Sequence, residues 1–113
     1  MGEPTRLIDK LKVISSDLNN SNIQWVTFVQ DHLKYIRANG IVITITDEIR
    51  DRFRTKFDHF LRENNCEQNI WWIASILNDV TDYADFTLKD TVVIPDRGYI
   101  LNLYRKYRTS INV

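Results

Sequence analysis

Cysteine is almost missing from this chain: Cys66 stands alone among 113 residues. One thiol cannot close an intramolecular disulfide, so the domain is not a disulfide scaffold. Glycine and proline are scarce too, at 3 and 2, which excludes the composition of a linker or a fibrous protein. Net charge is missing, because 15 basic residues offset 15 acidic ones. A chain that neutralises many phosphates carries a basic excess, so a nucleic-acid role would need a local patch. Zero net charge also serves solubility poorly, which suits a protein normally held within a complex. Long apolar runs are missing as well. Stretches such as Ile70-Trp71-Trp72-Ile73-Ala74 fall far short of a membrane span. The opening Met1-Gly2-Glu3-Pro4-Thr5-Arg6 has no apolar stretch of signal-peptide length, and Arg6 stands where a myristoylation motif wants Ser or Thr. Together these absences predict synthesis and residence in a cytoplasm, with no membrane partner.

What is present is enough for one packed core. Apolar residues make up 43% of the chain and aromatic rings 12%, which excludes global disorder. The length allows a single ordinary domain. Three Trp, five Tyr and five Phe supply large contact area at low side-chain entropy, in a core or at an interface.

Helical spacing of Leu7, Ile8, Leu11 and Ile14 after Pro4-Thr5 predicts a short amphipathic helix over 5–16. The polar cluster from Ser15 to Asn22 reads as a loop. Residues 1–20 thus form a candidate N-terminal arm, and 21–113 a single α+β domain. Trp25, Phe28, Val29, His32, Leu33 and Ile36 share a broad face of a helix over 23–38, capped by Asn22 and stopped by Asn39-Gly40. Ile41-Val42-Ile43-Thr44-Ile45-Thr46 alternates and is β-branched throughout, as a half-buried strand requires. Residues 47–63 carry both periods: the pattern favours helix through about residue 52, then extended chain. Asn64-Asn65 is a cap signal, and Cys66, Ile70, Ile73 and Leu77 form the inward stripe of a helix over 67–78. A turn or short bent connection spans 81–88. A short strand follows at 91–94, limited by Pro95, and a helix over 99–108 ends in Arg105, Lys106 and Arg108, which complement its dipole. The expected fold is a small antiparallel sheet from 41–46 and 91–94, flanked by helices.

Residues 70–95 have motif character. Trp71-Trp72-Ile73-Ala74 leads into Leu77-Asn78, then Phe86, Leu88, Val92 and Ile94-Pro95. This order resembles the LysM-like segment of baseplate wedge proteins from contractile-tailed bacteriophages, in which a tryptophan-led helix ends in an aliphatic-Asn pair and a strand finishing in Ile-Pro returns beside the first. Asp31-His32-Leu33-Lys34-Tyr35-Ile36-Arg37 and Ile100-Leu101-Asn102-Leu103-Tyr104 resemble flanking elements of such subunits, extending the similarity over roughly 31–107. The resemblance implies a LysM-like core at about 67–95 and a structural role. Such a subunit clamps neighbouring wedge and tail proteins in a sixfold-symmetric assembly of the virion, the tail baseplate, without active site, cofactor or small-molecule substrate. Glycan-binding LysM modules usually have Gly before the last strand. Lys89-Asp90 holds that place here, so the resemblance carries over the assembly role and leaves glycan binding open.

Chemistry-bearing residues are few. His32, His59 and Cys66 have no zinc spacing, and a structural zinc normally needs four ligands. Cys66 reads as a buried thiol rather than a nucleophile paired with a histidine. Asp79, Asp82 and Asp85 lack the Gly and Glu of a calcium loop and read as a solvated turn with capping aspartates. No catalytic, cofactor or metal residue is therefore expected. Adjacent Trp71 and Trp72 lie about 100° apart on a helix, so one should anchor the core and the other reach a partner groove. Trp25 shares that status. Tyr104, Arg105 and Tyr107 on the last helix complete the candidate partner-binding set. With Arg97, Lys106, Arg108 and Tyr99 they also offer the alternative function, a small nucleic-acid-binding or regulatory module that stacks bases and pairs phosphates. The absence of a basic excess weighs against it.

Overall fold

A computed structural model describes residues 15–111 of the chain. The helix expected over 5–16, with its Leu7, Ile8, Leu11 and Ile14 stripe, falls outside the described residues apart from Ser15 and Ser16. The fold is α+β, mostly helical, with one two-stranded antiparallel sheet. The stretch read as a polar loop is in part ordered as a 3-10 turn, Ser15–Leu18, and Leu18 is wholly buried. Residues assigned to the arm therefore contribute to the core.

Asn22 caps α1 (Ile23–Asp31), its side-chain oxygen accepting from the Gln24 and Trp25 N–H groups. The helix expected to run unbroken to 38 stops at His32 and restarts as α2 (Leu33–Ala38). The cause is local. Helical geometry reserves the Phe28 carbonyl for the His32 N–H, but the His32 ring takes it, with Nδ1 at 2.7 Å. The His32 N–H turns instead to the Val29 carbonyl. Stacking of the imidazole on Phe28, at 4.3 Å between centroids, holds the arrangement.

Strand β1 is Ile41–Thr44, two residues shorter than the pattern suggested. Ile45 still donates to the Asp90 carbonyl at 2.8 Å, but Thr46 leaves the ladder to cap α3 (Asp47–Phe53) by accepting from the Ile49 N–H. Gly40 precedes the strand because the backbones crowd there: a Cβ at this position would sit 2.5 Å from Val93 Cγ1 and 2.9 Å from the Ile94 carbonyl.

The expectation of extended chain beyond residue 52 is overturned. A second helix, α4 (Phe57–Glu63), follows α3 after a tight turn closed by the Lys56 N–H on the Phe53 carbonyl. Helical spacing of Phe53, Phe57 and Phe60 puts all three rings in the core, where Phe57 and Phe60 meet Phe86 at 5.1 and 5.3 Å. The competing alternation through Thr55 was incidental, since Thr55 is exposed.

Two helices end in the same way. After α4 the Cys66 N–H reaches back to Leu61 and the Asn65 N–H to Arg62, with Asn65 at φ 62°. After α5 (Trp71–Leu77), which continues a 3-10 turn at Gln68–Ile70, the Val80 N–H reaches Ser75 and the Asp79 N–H reaches Ile76, with Asp79 at φ 56°. Both are Schellman motifs with a left-handed residue and a buried apolar follower. The Asn64-Asn65 signal thus closes the preceding helix rather than opening the next. Cys66, Ile70, Ile73 and Leu77 are buried as their spacing predicts.

Asp82 and Asp85 form a reciprocal capping box on the 3-10 turn Tyr83–Leu88. Strand β2 (Thr91–Ile94) then pairs antiparallel with β1, Ile41 opposite Ile94 and Thr44 opposite Thr91. The last helix, α6 (Arg97–Ile111), closes the core with Ile100, Leu103 and Tyr107.

Candidate protein-interaction surface

The Trp-Trp helix is tied to the sheet by a single buried polar side chain. Asn78 accepts from the Val93 N–H at 2.7 Å and donates through Nδ2 to the Val93 carbonyl and the Ala74 carbonyl, both at 2.8 Å. Its amide does what a neighbouring strand would do, closing the outer edge of β2 at Val93. An asparagine suits this place because it offers both an acceptor and donors from one planar group. Arg37 reaches the adjacent Leu77 carbonyl, binding α2 to the same corner.

Neither paired tryptophan is fully buried, and neither is free. Both are half-buried. The Trp71 indole N–H donates to the Cys66 carbonyl at 2.8 Å, and the Arg62 guanidinium lies 5.5 Å from the ring centre. The Trp72 N–H donates to the Leu18 carbonyl at 2.8 Å, which also accepts from Trp25 at 3.2 Å. The expected division into one core ring and one exposed ring gives way to two rings pinned at the rim. Main-chain carbonyls satisfy both indole N–H groups, while part of each ring stays open to solvent.

Trp25 does not face a partner. It is wholly buried, with Tyr104, Tyr107 and Trp72 around it at 5.0, 5.5 and 6.5 Å. Tyr107 is likewise buried, its hydroxyl accepting from the Asn22 side chain. Both belong to the core because their helices, α1 and α6, pack directly on one another. Tyr104 is half-buried, and burial, then the charge of Asp17, pushes its hydroxyl above the ordinary tyrosine value. Arg105 is exposed and donates to Asn102. Arg97 is engaged with Glu67 at 2.5 Å. Of the rings proposed to stack bases, Tyr99 and Tyr104 keep partial exposure.

Trp72 lines an open groove of about 660 Å³ between the start of α1, the outer side of α5 and the Tyr83 turn. Ile23, Val26, Ile76, Val80 and Tyr83 complete its apolar wall. Ile23 is 78% exposed and also borders a shallower depression beside Phe28 and Tyr107. Ile23 and Tyr83 were not singled out from sequence. A signal existed: Ile23 and Val26 stand three apart on α1 but off the stripe of Trp25, Val29 and Ile36, so they make a second apolar face.

Burial, with Glu67 adding to it, pushes the Cys66 thiol up to about 12, and Cys66 is therefore held as the inert thiol. Asp79 serves a helix end and Asp82 and Asp85 serve a cap. Among the described residues, no three His, Cys, Asp or Glu side chains gather as a metal site, and no helix is long and apolar enough to cross a membrane. Set against protein-family models, curated proteins and solved structures, the chain matches none.

Proposed function

We propose that this chain is a structural subunit of the tail baseplate wedge of a contractile-tailed bacteriophage. In this reading it is made in the host cytoplasm and built into the virion, where it joins neighbouring wedge and tail proteins by protein–protein contacts. The observation that carries the reading is the apolar groove with Trp72 in its wall and Ile23 standing out at its rim. Exposed apolar surface rimmed by polar residues marks interaction sites, and a tryptophan fixed by a hydrogen bond loses little entropy on docking. The residues that carry the sequence resemblance add support, since the aliphatic-Asn pair joins the tryptophan helix to the strand ending in Ile94-Pro95 through Asn78.

Co-expression with the tail proteins encoded beside it, followed by purification at low and high salt, tests the reading. A complex that survives high salt and is lost on Ile23→Asp is the expected result, because apolar contacts are insensitive to screening. Salt-sensitive retention on nucleic acid, with no tail protein bound, would overturn it in favour of the C-terminal helix.

A further inference from the structure

Of the two edges of the sheet, that of β2 is closed at Val93 and, among the described residues, that of β1 is open. Ile41 pairs with Ile94 and Ile43 with Val92, and the Ile45 N–H donates to Asp90. The odd-numbered residues of β1 therefore turn their main-chain groups toward β2, while Val42 and Thr44 turn theirs away. On β2 the outward residues are Thr91 and Val93, and Asn78 closes Val93. Among the described residues nothing bonds the N–H or C=O groups of Val42 or Thr44. The strand that owns this open edge is β-branched throughout, and Ile41 and Val42 are 55% and 63% exposed.

We propose that the β1 edge pairs with the β1 edge of a second copy, antiparallel about Ile43. In that register the Val42 N–H donates to Thr44 C=O of the second copy, the Thr44 N–H of that copy donates to Val42 C=O, and the twofold axis repeats both bonds. Every outward main-chain group of the strand finds its complement. Neighbouring groups cannot extend the ladder, because the Gly40 N–H is held by Arg37 and the Thr46 carbonyl by Arg50. Exposed Ile41 comes beside Ile45 of the second copy, and the Ile43 side chains meet on the axis, where cross-strand β-branched pairs stabilise a sheet.

Charge selects the same occupant. Asp47, Glu48 and Asp90 are exposed at the Thr44 end of the sheet, where Arg50 pairs with Asp47 and lies 3.9 Å from Asp90 and so offsets one of the three charges. Lys34 and Arg37, the latter bonded to the Leu77 carbonyl, are exposed in the helix that leads into the Ile41 end. Antiparallel pairing sets the acidic end of one copy beside the basic end of the other. The formal net charge of zero leaves no overall repulsion between copies. This inference concerns the free chain and does not rest on the assembly role.

Sedimentation velocity of the full chain over a wide concentration range is the test. The weight-average mass should rise above the monomer's 13.4 kDa as concentration increases, with the Val42 and Thr44 amides becoming protected from hydrogen exchange in step. Val42→Pro removes an outward donor and no internal bond, and Thr44→Lys places a charge on an exposed edge position. Each should weaken self-association by at least about tenfold and leave the melting temperature of the dilute protein unchanged. A parent that stays monomeric at every concentration overturns the proposal. So does a dimer that survives both variants but is lost on Ile23→Asp, which would move the contact to the groove. Protection of Val42 and Thr44 only when another protein is added would give the edge to a foreign strand, and self-pairing would again be wrong.

Discussion

Asn78 is the residue whose replacement should be felt most for its size. Its amide satisfies the N–H and C=O of Val93 and the carbonyl of Ala74 in a buried site. An unpaired buried polar group costs about 1–3 kcal/mol. Asn78→Leu, which keeps the bulk but abandons the two Val93 groups, should therefore destabilise by roughly 2–4 kcal/mol in urea unfolding. Asn78→Asp retains the acceptor for the Val93 N–H but sets a carboxylate against two carbonyls, so it should be no milder. Equal stability of Asn78→Leu and the parent would mean that the edge of β2 is closed some other way. Asp79 offers the opposite case. It holds φ 56° at the end of α5, a conformation that glycine adopts freely and aspartate less so. Asp79→Gly should raise stability by up to about 1 kcal/mol, whereas Asp79→Val should lower it. The same change at Asn65, φ 62°, should gain less, because asparagine tolerates the left-handed region better than most residues.

At the scale of elements, periodicity was a sound guide to the type of element, though not to its extent, wherever one period stood alone. The α5 stripe, the 91–94 strand and the antiparallel pairing were all legible, because core burial enforces those patterns. The break at His32 was not legible, since it depends on a side chain capturing its own helix's carbonyl. Between 53 and 60 two periods overlapped, and the contact of Phe57 and Phe60 with Phe86, remote in sequence, together with that of Phe53 with Phe60, decided for helix. The groove proposed as an interaction surface was legible only in Trp72; Ile23 and Tyr83 join it through where α1 and the 83–88 turn lie beside α5. That turn also carries an acid-sensitive contact. Hydrogen bonds from the Asp82 N–H, then from the Thr81 hydroxyl, hold the Asp85 carboxyl below the ordinary aspartate range. A lowered folded value contributes stability that is present above the unfolded value and lost as pH falls through the folded one. The parent should thus lose stability relative to Asp85→Asn below about pH 4, the two converging in strongly acidic solution. Parallel stability curves for the two proteins across that range would remove the capping box from the acid response.

At the scale of the whole molecule, the Leu18 carbonyl is a junction. It accepts the indole N–H groups of Trp25 from α1 and Trp72 from α5, while the Leu18 side chain is buried among them. The chain entering the domain is in this way fastened to both walls of the groove. Deleting residues 1–20 should lower the melting temperature sharply, since it strands two indole donors and empties a buried leucine site, a loss of about 3–5 kcal/mol. The two tryptophans then separate folding from assembly. Trp72→Phe keeps an aromatic wall, loses one hydrogen bond and should cost about 1 kcal/mol. Trp72→Ala opens the groove and should cost more in folding, but its larger effect should fall on binding, where interface tryptophans contribute about 2 kcal/mol or more. Trp71, covered by Arg62 and bonded to Cys66 away from the groove, should affect stability alone when changed to Ala. Thermal melting and incorporation into the complex, measured on the same variants, distinguish these outcomes. Normal incorporation of a folded Trp72→Ala would show that the groove is not where partners bind, and the search would pass to the exposed ridge of α6 around Arg105.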